Sequence, residues 1–158
     1  MFESRVDITA CGPEAAEVVH RLTQAAFGDQ VALDPPTGAA DESVEKVRGE
    51  LAQSAGGLGR LGPEPVACVR LVPGHDDLHV RRLAVLPELQ GRGIGRAMMA
   101  WAESEAVRRG LGAVAIGVRI ALRGNVAFFR RLGYEVVAEH AHPGYDHPTW
   151  LEMRKPLA

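Results

Sequence analysis

The sequence predicts a single α/β domain, of the mixed α+β kind, over residues 1–158, and three observations carry that prediction. Stretches with strand-like alternation and stretches with helical spacing of apolar residues follow one another in the order β, α, α, β, β, β, α, β, α, β, β. At 158 residues, 46% hydrophobic and 24% charged, the chain is long enough to bury a core without disulfide or metal staples, and no repeat, linker or low-complexity segment divides it. In the middle of the chain, an apolar strand end runs through a glycine-rich loop into an amphipathic helix.

Val6–Ala10 reads as a short first strand. Cys11-Gly12-Pro13-Glu14 then starts a helix, with proline in the first turn and an acid behind it. Ala15, Val18, Val19, Leu22 and Ala26 share its inner face as far as Phe27-Gly28. Asp29–Ala40 is a loop, because Pro35-Pro36 and Gly38 forbid both helix and inner strand. Asp41 or Ser43 caps a second helix that turns Val44, Val47 and Leu51 inward and is closed by Gly56-Gly57. Leu58–Leu61 and Pro65–Val72 form a hairpin around Gly62-Pro63-Glu64, and Pro73–Asp77 is a turn.

In the next strand, Leu78–Val85, the apolar phase slips. Leu78 and Val80 are two apart, but Leu83 and Val85 resume after three, the pattern of a β-bulge or of a strand buried on both faces. Ile94, Ala97, Met98, Trp101 and Ala102 make a helix stripe that ends at Gly110, and Val114, Ile116 and Val118 mark another strand. Asn125 is a good N-cap for a short helix over 126–132 stopped by Gly133. Strands near Tyr134–Glu139 and Thr149–Arg154 flank a last loop, His140–Pro148.

Chemistry is expected in Leu83–Arg96, LAVLPELQGRGIGR. Gly91, Gly93 and Gly95, at every second position, let successive backbone N–H groups face an anion, and the helix behind them adds its own unpaired N–H groups and the positive end of its dipole. A Walker loop would need Gly-Lys-Ser/Thr, but Arg96-Ala97 follows Gly95. A dinucleotide fingerprint would need G-x-G-x-x-G and an acid at the end of the next strand, and Ala113–Val118 holds none. What stays is Gln90-x-x-Gly93-x-Gly95, with a plain glycine-rich turn as the bland alternative.

This loop stands between Leu83-Ala84-Val85-x-Pro87 and the later Asn125-x-Ala127-Phe128-Phe129-x-x-Leu132-Gly133-Tyr134. Together the three segments resemble the GCN5-related N-acetyltransferase (GNAT) family. The resemblance implies an acyl-CoA N-acyltransferase fold, a mixed, mostly antiparallel sheet of roughly six or seven strands splayed between the fourth and fifth and flanked by about four helices. It implies acetyl-CoA as co-substrate and direct transfer of the acetyl group to an amine. By the same resemblance, Leu83, Ala84 and Val85 offer backbone groups to the pantetheine arm. Gly91, Arg92, Gly93, Ile94, Gly95 and Arg96 hold the pyrophosphate, with Gln90 shaping the loop entry and Arg92 and Arg96 adding charge. Asn125 reaches the cofactor, and Phe128 and Arg131 line its distal part. Asn125 reads equally as a helix cap and Phe128 as core.

Acyl transfer from a thioester needs a neutral amine, a stabilised oxyanion and a proton for the departing thiolate. No covalent nucleophile is required, so Cys11 and Cys68 read as small buried hydrophobes. Many family members carry a tyrosine where this chain has Phe129, taken as the acid toward the CoA sulfur, and often a glutamate base where it has Arg81. The catalytic acid and base are therefore unassigned. Tyr134, Tyr145 and His79 are the candidates, with core and partly exposed filler as the alternatives for Tyr134 and His79. Catalysis by positioning, with water moving the protons, is also physically adequate.

Acceptor identity is expected in the Asp29–Ala40 loop, the slipped strand and the His140–Pro148 loop. Asp34, Asp41, Glu42, Asp146 and Tyr145 are candidates to receive a cationic amine, with solvated turn acids as the alternative. A small-molecule amine comes first and a protein N-terminus or lysine second. The rival class is a non-catalytic acyl-CoA sensor, kept open by Arg81 and Phe129. His140, His142 and His147 lack zinc-site spacing, so no metal is expected. Eighteen basic against twenty acidic residues, a net charge of −2, give no support for nucleic acid. No apolar run reaches membrane-spanning length, and the start lacks a signal-peptide pattern. With two unpaired-looking cysteines, the expected setting is cytoplasmic. A homodimer is common in look-alikes, while the sequence itself leaves the oligomeric state open.

Overall fold

The computed structural model describes residues 5–28 and 33–157; positions 29–32 of the expected Asp29–Ala40 loop lie outside the described residues. The elements are β1 (Asp7–Cys11), α1 (Ala16–Phe27), α2 (Val44–Ser54), β2 (Gly56–Leu61), β3 (Glu64–Pro73), β4 (Asp77–Val85), α3 (Ile94–Arg108), β5 (Ala113–Arg119), α4 (Arg123–Arg131), β6 (Glu135–His140) and β7 (Trp150–Pro156). Their order is the one the sequence predicts. The strands line up as β1-β2-β3-β4-β5-β7-β6. β1 with β2, β2 with β3, β5 with β7 and β6 with β7 are antiparallel, and β4 with β5 is parallel. A parallel neighbour needs a crossover, and α3 supplies it. The β4–β5 register runs from Asp77↔Ala113 to Val80↔Ile116 and ends there, although β4 continues to Val85 and β5 to Arg119.

Two compact units share the chain. The first takes the described residues up to Val72 together with Arg81–Ala102, and the second takes Pro73–Val80 and the chain from Glu103 onward. In the first, Gly12 N–H bonds the Glu14 carboxylate at 2.8 Å and Pro13 opens a short 3-10 turn that leads into α1. Ser43 is the cap of α2, its Oγ accepting from the Lys46 N–H at 3.1 Å. Val19, Leu22, Val47 and Leu51 from these helices are buried against Leu58, Cys68 and Ala84 of the strands. Each such side chain contributes about 1.5–3 kcal/mol relative to exposure.

Gly56-Gly57, expected to close α2, instead begins β2, and Ala55 takes the left-handed turn with φ 65. The reason is tertiary. A Cβ on Gly57 would lie 2.4 Å from Trp101 Cζ3, so the strand needs a glycine for the indole to rest on it. Every residue of β3 from Val66 to Leu71 is buried, including Arg70.

In the second unit, α4 begins at Arg123, earlier than expected. The Leu122 carbonyl accepts from the N–H groups of Asn125 (3.0 Å) and Val126 (3.1 Å), and no side chain caps the helix. Asn125 is therefore not the N-cap; its exposed side chain rides on the first turn. Gly133, φ 98, stops the helix, and Tyr134 and Phe129 meet edge to face at 5.9 Å. Among the described residues, no helix is long and apolar enough to cross a membrane.

Candidate active site

The glycine stretch folds as a built loop. After β4, Leu86 N–H bonds the Val66 carbonyl at 3.0 Å, tying the strand end to β3, and Pro87–Leu89 makes one 3-10 turn. Gln90, expected to shape the loop entry, donates from its Nε2 to the Val85 carbonyl at 3.2 Å. Gly91 and Gly93 have φ of 81 and 85, conformations an L side chain rarely adopts, and a Cβ at either would meet no atom within 4 Å. Glycine is there for backbone shape, not for lack of room. Ala97 N–H returns to the Gly93 carbonyl at 3.1 Å, so α3 starts at once. Its first-turn N–H groups have no helical partner by geometry, and Arg92 and Arg96 are exposed beside them while Ile94 is buried at 4%. An open, positively polarised backbone loop fits a pyrophosphate. Of the strand residues, Ala84 is buried at 1%, whereas Leu83 and Val85 are half-buried on its other side. At the phase slip, Arg82 takes φ 55.

The remaining expected residues lie in the second unit. Phe128 is half-buried and stands edge-on to Phe129 at 5.0 Å, and Arg131 is exposed in the last turn of α4. Phe129, where a tyrosine acid would be carried, is 5% exposed and packed between two aromatic rings. Tyr134 is 1% exposed, its hydroxyl donates to Glu103 Oε2 at 2.9 Å, and Lys155 Nζ donates to the other Glu103 oxygen at 3.0 Å. Burial, with the Glu103 charge added, pushes its phenol far above the ordinary range. This is the setting of a structural tyrosine. His79 is half-exposed with Nε2 3.3 Å from Asp77 Oδ1. Tyr145 is half-buried between the rings of His142 (6.4 Å) and His147 (5.8 Å).

The expected acceptor acids separate. Glu42 is a correction: it is 5% exposed and its charge is already paired with Arg70, which donates to both oxygens, so it is closed to a cationic amine from solvent. Asp34 and Asp41 are exposed, and Asp146 pairs with His147 at 3.0 Å, whose hydrogen bond holds the carboxyl below its usual range. His140 stacks on Trp150 at 4.2 Å and meets Glu152 at 3.0 Å, while His142 bonds Thr149. Among the described residues, no three His, Cys, Asp or Glu side chains are grouped to hold a metal. Burial pushes the Cys11 thiol up to about 11 and the Cys68 thiol to about 12, so neither is a thiolate near neutrality. The residues that sequence reasoning missed are Arg70 and Arg82. Arg70 sits in an apolar run where no side-chain pattern announces a buried charge.

A strand leading into an open glycine loop and a helix defines a class that binds the phosphates of a cofactor. The profile of the Acetyltransferase (GNAT) family matches residues 24–134 of the 158, and the chain belongs to that family. It is an acetyl-CoA-dependent N-acetyltransferase by class, with acetyl-CoA as co-substrate. No curated protein matches the sequence. Solved structures with the same fold include the PaiA N-acetyltransferase of Thermoplasma acidophilum in complex with coenzyme A (15% identity, 97% of this chain and 99% of that one, TM-score 0.79). Another is the ribosomal-protein-S18-alanine N-acetyltransferase of Escherichia coli (18%, 96% and 94%, 0.77). A third is an acetyltransferase of Thermus thermophilus (23%, 99% and 100%, 0.74). At these identities the likeness is one of fold.

Proposed function

We propose that residues 1–158 act as one N-acetyltransferase domain that moves the acetyl group of acetyl-CoA directly to the primary amine of a small molecule. The observation that carries this reading is the Gln90–Gly95 loop, whose positive φ at Gly91 and Gly93 opens backbone N–H groups at the start of α3 while Gln90 fixes the end of β4. In this reading the N–H groups of residues 91–96 hold the pyrophosphate, and the backbone of Leu83, Ala84 and Val85 holds the pantetheine arm and polarises the thioester carbonyl. The co-substrate supplies the activated acyl group. On α4, Asn125 is released from capping duty and is assigned to the cofactor with Phe128 and Arg131. The neutral amine attacks the thioester carbon, the new C–N bond forms as the nitrogen gives up a proton, the C–S bond breaks, and the departing thiolate takes a proton. Holding both reactants supplies much of the rate. Tyr145 and His79 are the side chains assigned to the proton transfers, since Phe129 has no hydroxyl and Tyr134 is committed to Glu103.

The test is release of free CoA thiol with a panel of small amines, polyamines, peptides with free N-termini and lysine peptides. Turnover of a small amine above the peptides supports the reading. Turnover of peptides alone moves the acceptor to protein, and tight acetyl-CoA binding with no turnover of any amine replaces the enzyme with a sensor.

A further inference from the structure

Three arginines and two carboxylates of the first unit form one cluster, and their charges do not cancel. Arg70, with a side chain 1% exposed, donates through Nη1 and Nη2 to the two oxygens of Glu42, both at 2.8 Å. It also approaches Glu50 Oε1 at 3.5 Å and Thr23 Oγ1 at 3.3 Å. Arg81 comes to that same Glu50 oxygen at 3.3 Å. Arg82 Nε lies 3.6 Å from Glu42 Oε2, beyond hydrogen-bond reach, and among the described residues this buried nitrogen has no acceptor. The carboxylates are thus shared among more guanidinium groups than they can neutralise.

Arg81 and Arg82 are neighbours in a strand, where successive side chains point to opposite faces. Here both reach one carboxylate pair. The left-handed φ of 55 at Arg82 is the distortion that brings them together, a conformation that non-glycine residues rarely adopt. Arg70 makes the short bonds to both Glu42 oxygens, and Arg82 is left with the longer approach. Burial lowers the Arg82 pKa, and the charges of Arg81 and Arg70 work in the same direction against the attraction of Glu42 and Glu50. The side chains of Arg81 and Arg82 nevertheless keep 40% and 20% exposure, so an ion from solvent reaches them.

We propose that Arg81 and Arg82 form the receptor for a carboxylate on the acceptor, which makes the acceptor a small amine that also carries a carboxylate, such as an amino acid. This rests on the reading of Leu83–Val85 as the strand that presents the acetyl thioester. Arg82 is one residue, about 3.3 Å of strand rise, from Leu83. A carboxylate held there belongs to the same small molecule as the attacking amine. The planar fork of arginine suits a carboxylate, and one added anion balances the cluster. The expectation of acids receiving a cationic amine is thereby reversed at this end of the strand, where Glu42 faces inward and is occupied.

The experiment uses the full chain with acetyl-CoA and glycine, alanine, phenylalanine, glutamate and lysine, each beside its carboxamide, which keeps the amine and removes the α-carboxylate. Thiol release gives kcat and KM, and calorimetry on the CoA-loaded protein reads binding without turnover. At least one amino acid is expected to be favoured over its amide. Arg81→Gln and Arg82→Gln should each raise its KM about 10- to 100-fold, with KM for acetyl-CoA and for the amide unchanged. Arg82→Lys should recover part of the loss. Arg81→Gln, at the more exposed position, carries the test if Arg82→Gln does not fold. Amides used as well as acids, or equal losses on both in the variants, overturn the receptor while leaving acetyl transfer intact. If no amine releases thiol but an amino acid binds, and binds more weakly to Arg81→Gln, acetyl transfer fails and the receptor stands. Absence of binding preference and of turnover overturns both.

Discussion

Arg70 in the first unit and Tyr134 in the second are each 1% exposed and each is anchored to a carboxylate, yet their surroundings close differently. Around Tyr134, a neutral phenol and the Lys155 ammonium share the two oxygens of Glu103, and the charges cancel. Around Arg70, the guanidinium groups of Arg81 and Arg82 crowd the same Glu42 and Glu50, one positive charge remains in excess, and a backbone distortion at Arg82 holds it there. A closed cluster needs nothing further. An open one, strained and reachable from solvent, is built for something that is not part of the chain.

The largest expected effect tests the buried half of that contrast. Arg70→Met leaves Glu42 buried without its two-pronged partner, which costs about 3–5 kcal/mol and lowers the midpoint of urea unfolding. Adding Glu42→Leu should recover part of the loss. Burial opposes the Glu42 charge most strongly, but the hydrogen bonds from Arg70 together with the positive charges of Arg70, Arg82 and Lys46 outweigh it and hold the carboxyl below its usual range. Its contribution is therefore fully present above about pH 4.3, the unfolded value, and is lost as pH falls through the lower folded one. Glu42→Gln should flatten the acid limb of the stability profile. An Arg70→Met variant no less stable than Tyr134→Phe would erase the distinction between the clusters.

Next comes Gly93→Glu, which puts a side chain at φ 85 and an acid in the loop proposed to hold the pyrophosphate. Acetyl-CoA affinity measured by calorimetry should fall about 100-fold, or ~2.7 kcal/mol. A folded variant with unchanged affinity removes this loop from the cofactor. The smallest effect is expected from Tyr134→Phe. It gives up one hydrogen bond to a charged group, about 1–2 kcal/mol of stability, and leaves the pH profile of kcat where it was. A moved profile would make Tyr134 the catalytic acid and reverse its assignment as structure.

Local signals made much of this molecule legible. Ser43 as one of two candidate caps, Gly110 and Gly133 as stops and the Val47/Leu51 stripe are decisions a few residues make by themselves. The loop around Gly91 and Gly93 was readable for the same reason, since positive φ is a property of the residue. Asn125 misled because a good capping residue was outcompeted by the Leu122 carbonyl, which started the helix earlier. Gly56-Gly57 misled because glycine closes helices and also makes room for a bulky neighbour, and only the position of Trp101 tells which applies.

The sequence by itself thus determined the order of elements, the family motif and the shape of the glycine loop, all of which rest on short-range backbone preferences and spacing. Tertiary structure alone decided the charge state of the strand beside that loop. Glu42, Glu50, Arg70 and Arg82 are far apart in the chain, and whether an acid there is an open receptor or a consumed partner depends on which distant cation folding brings to 2.8 Å from it.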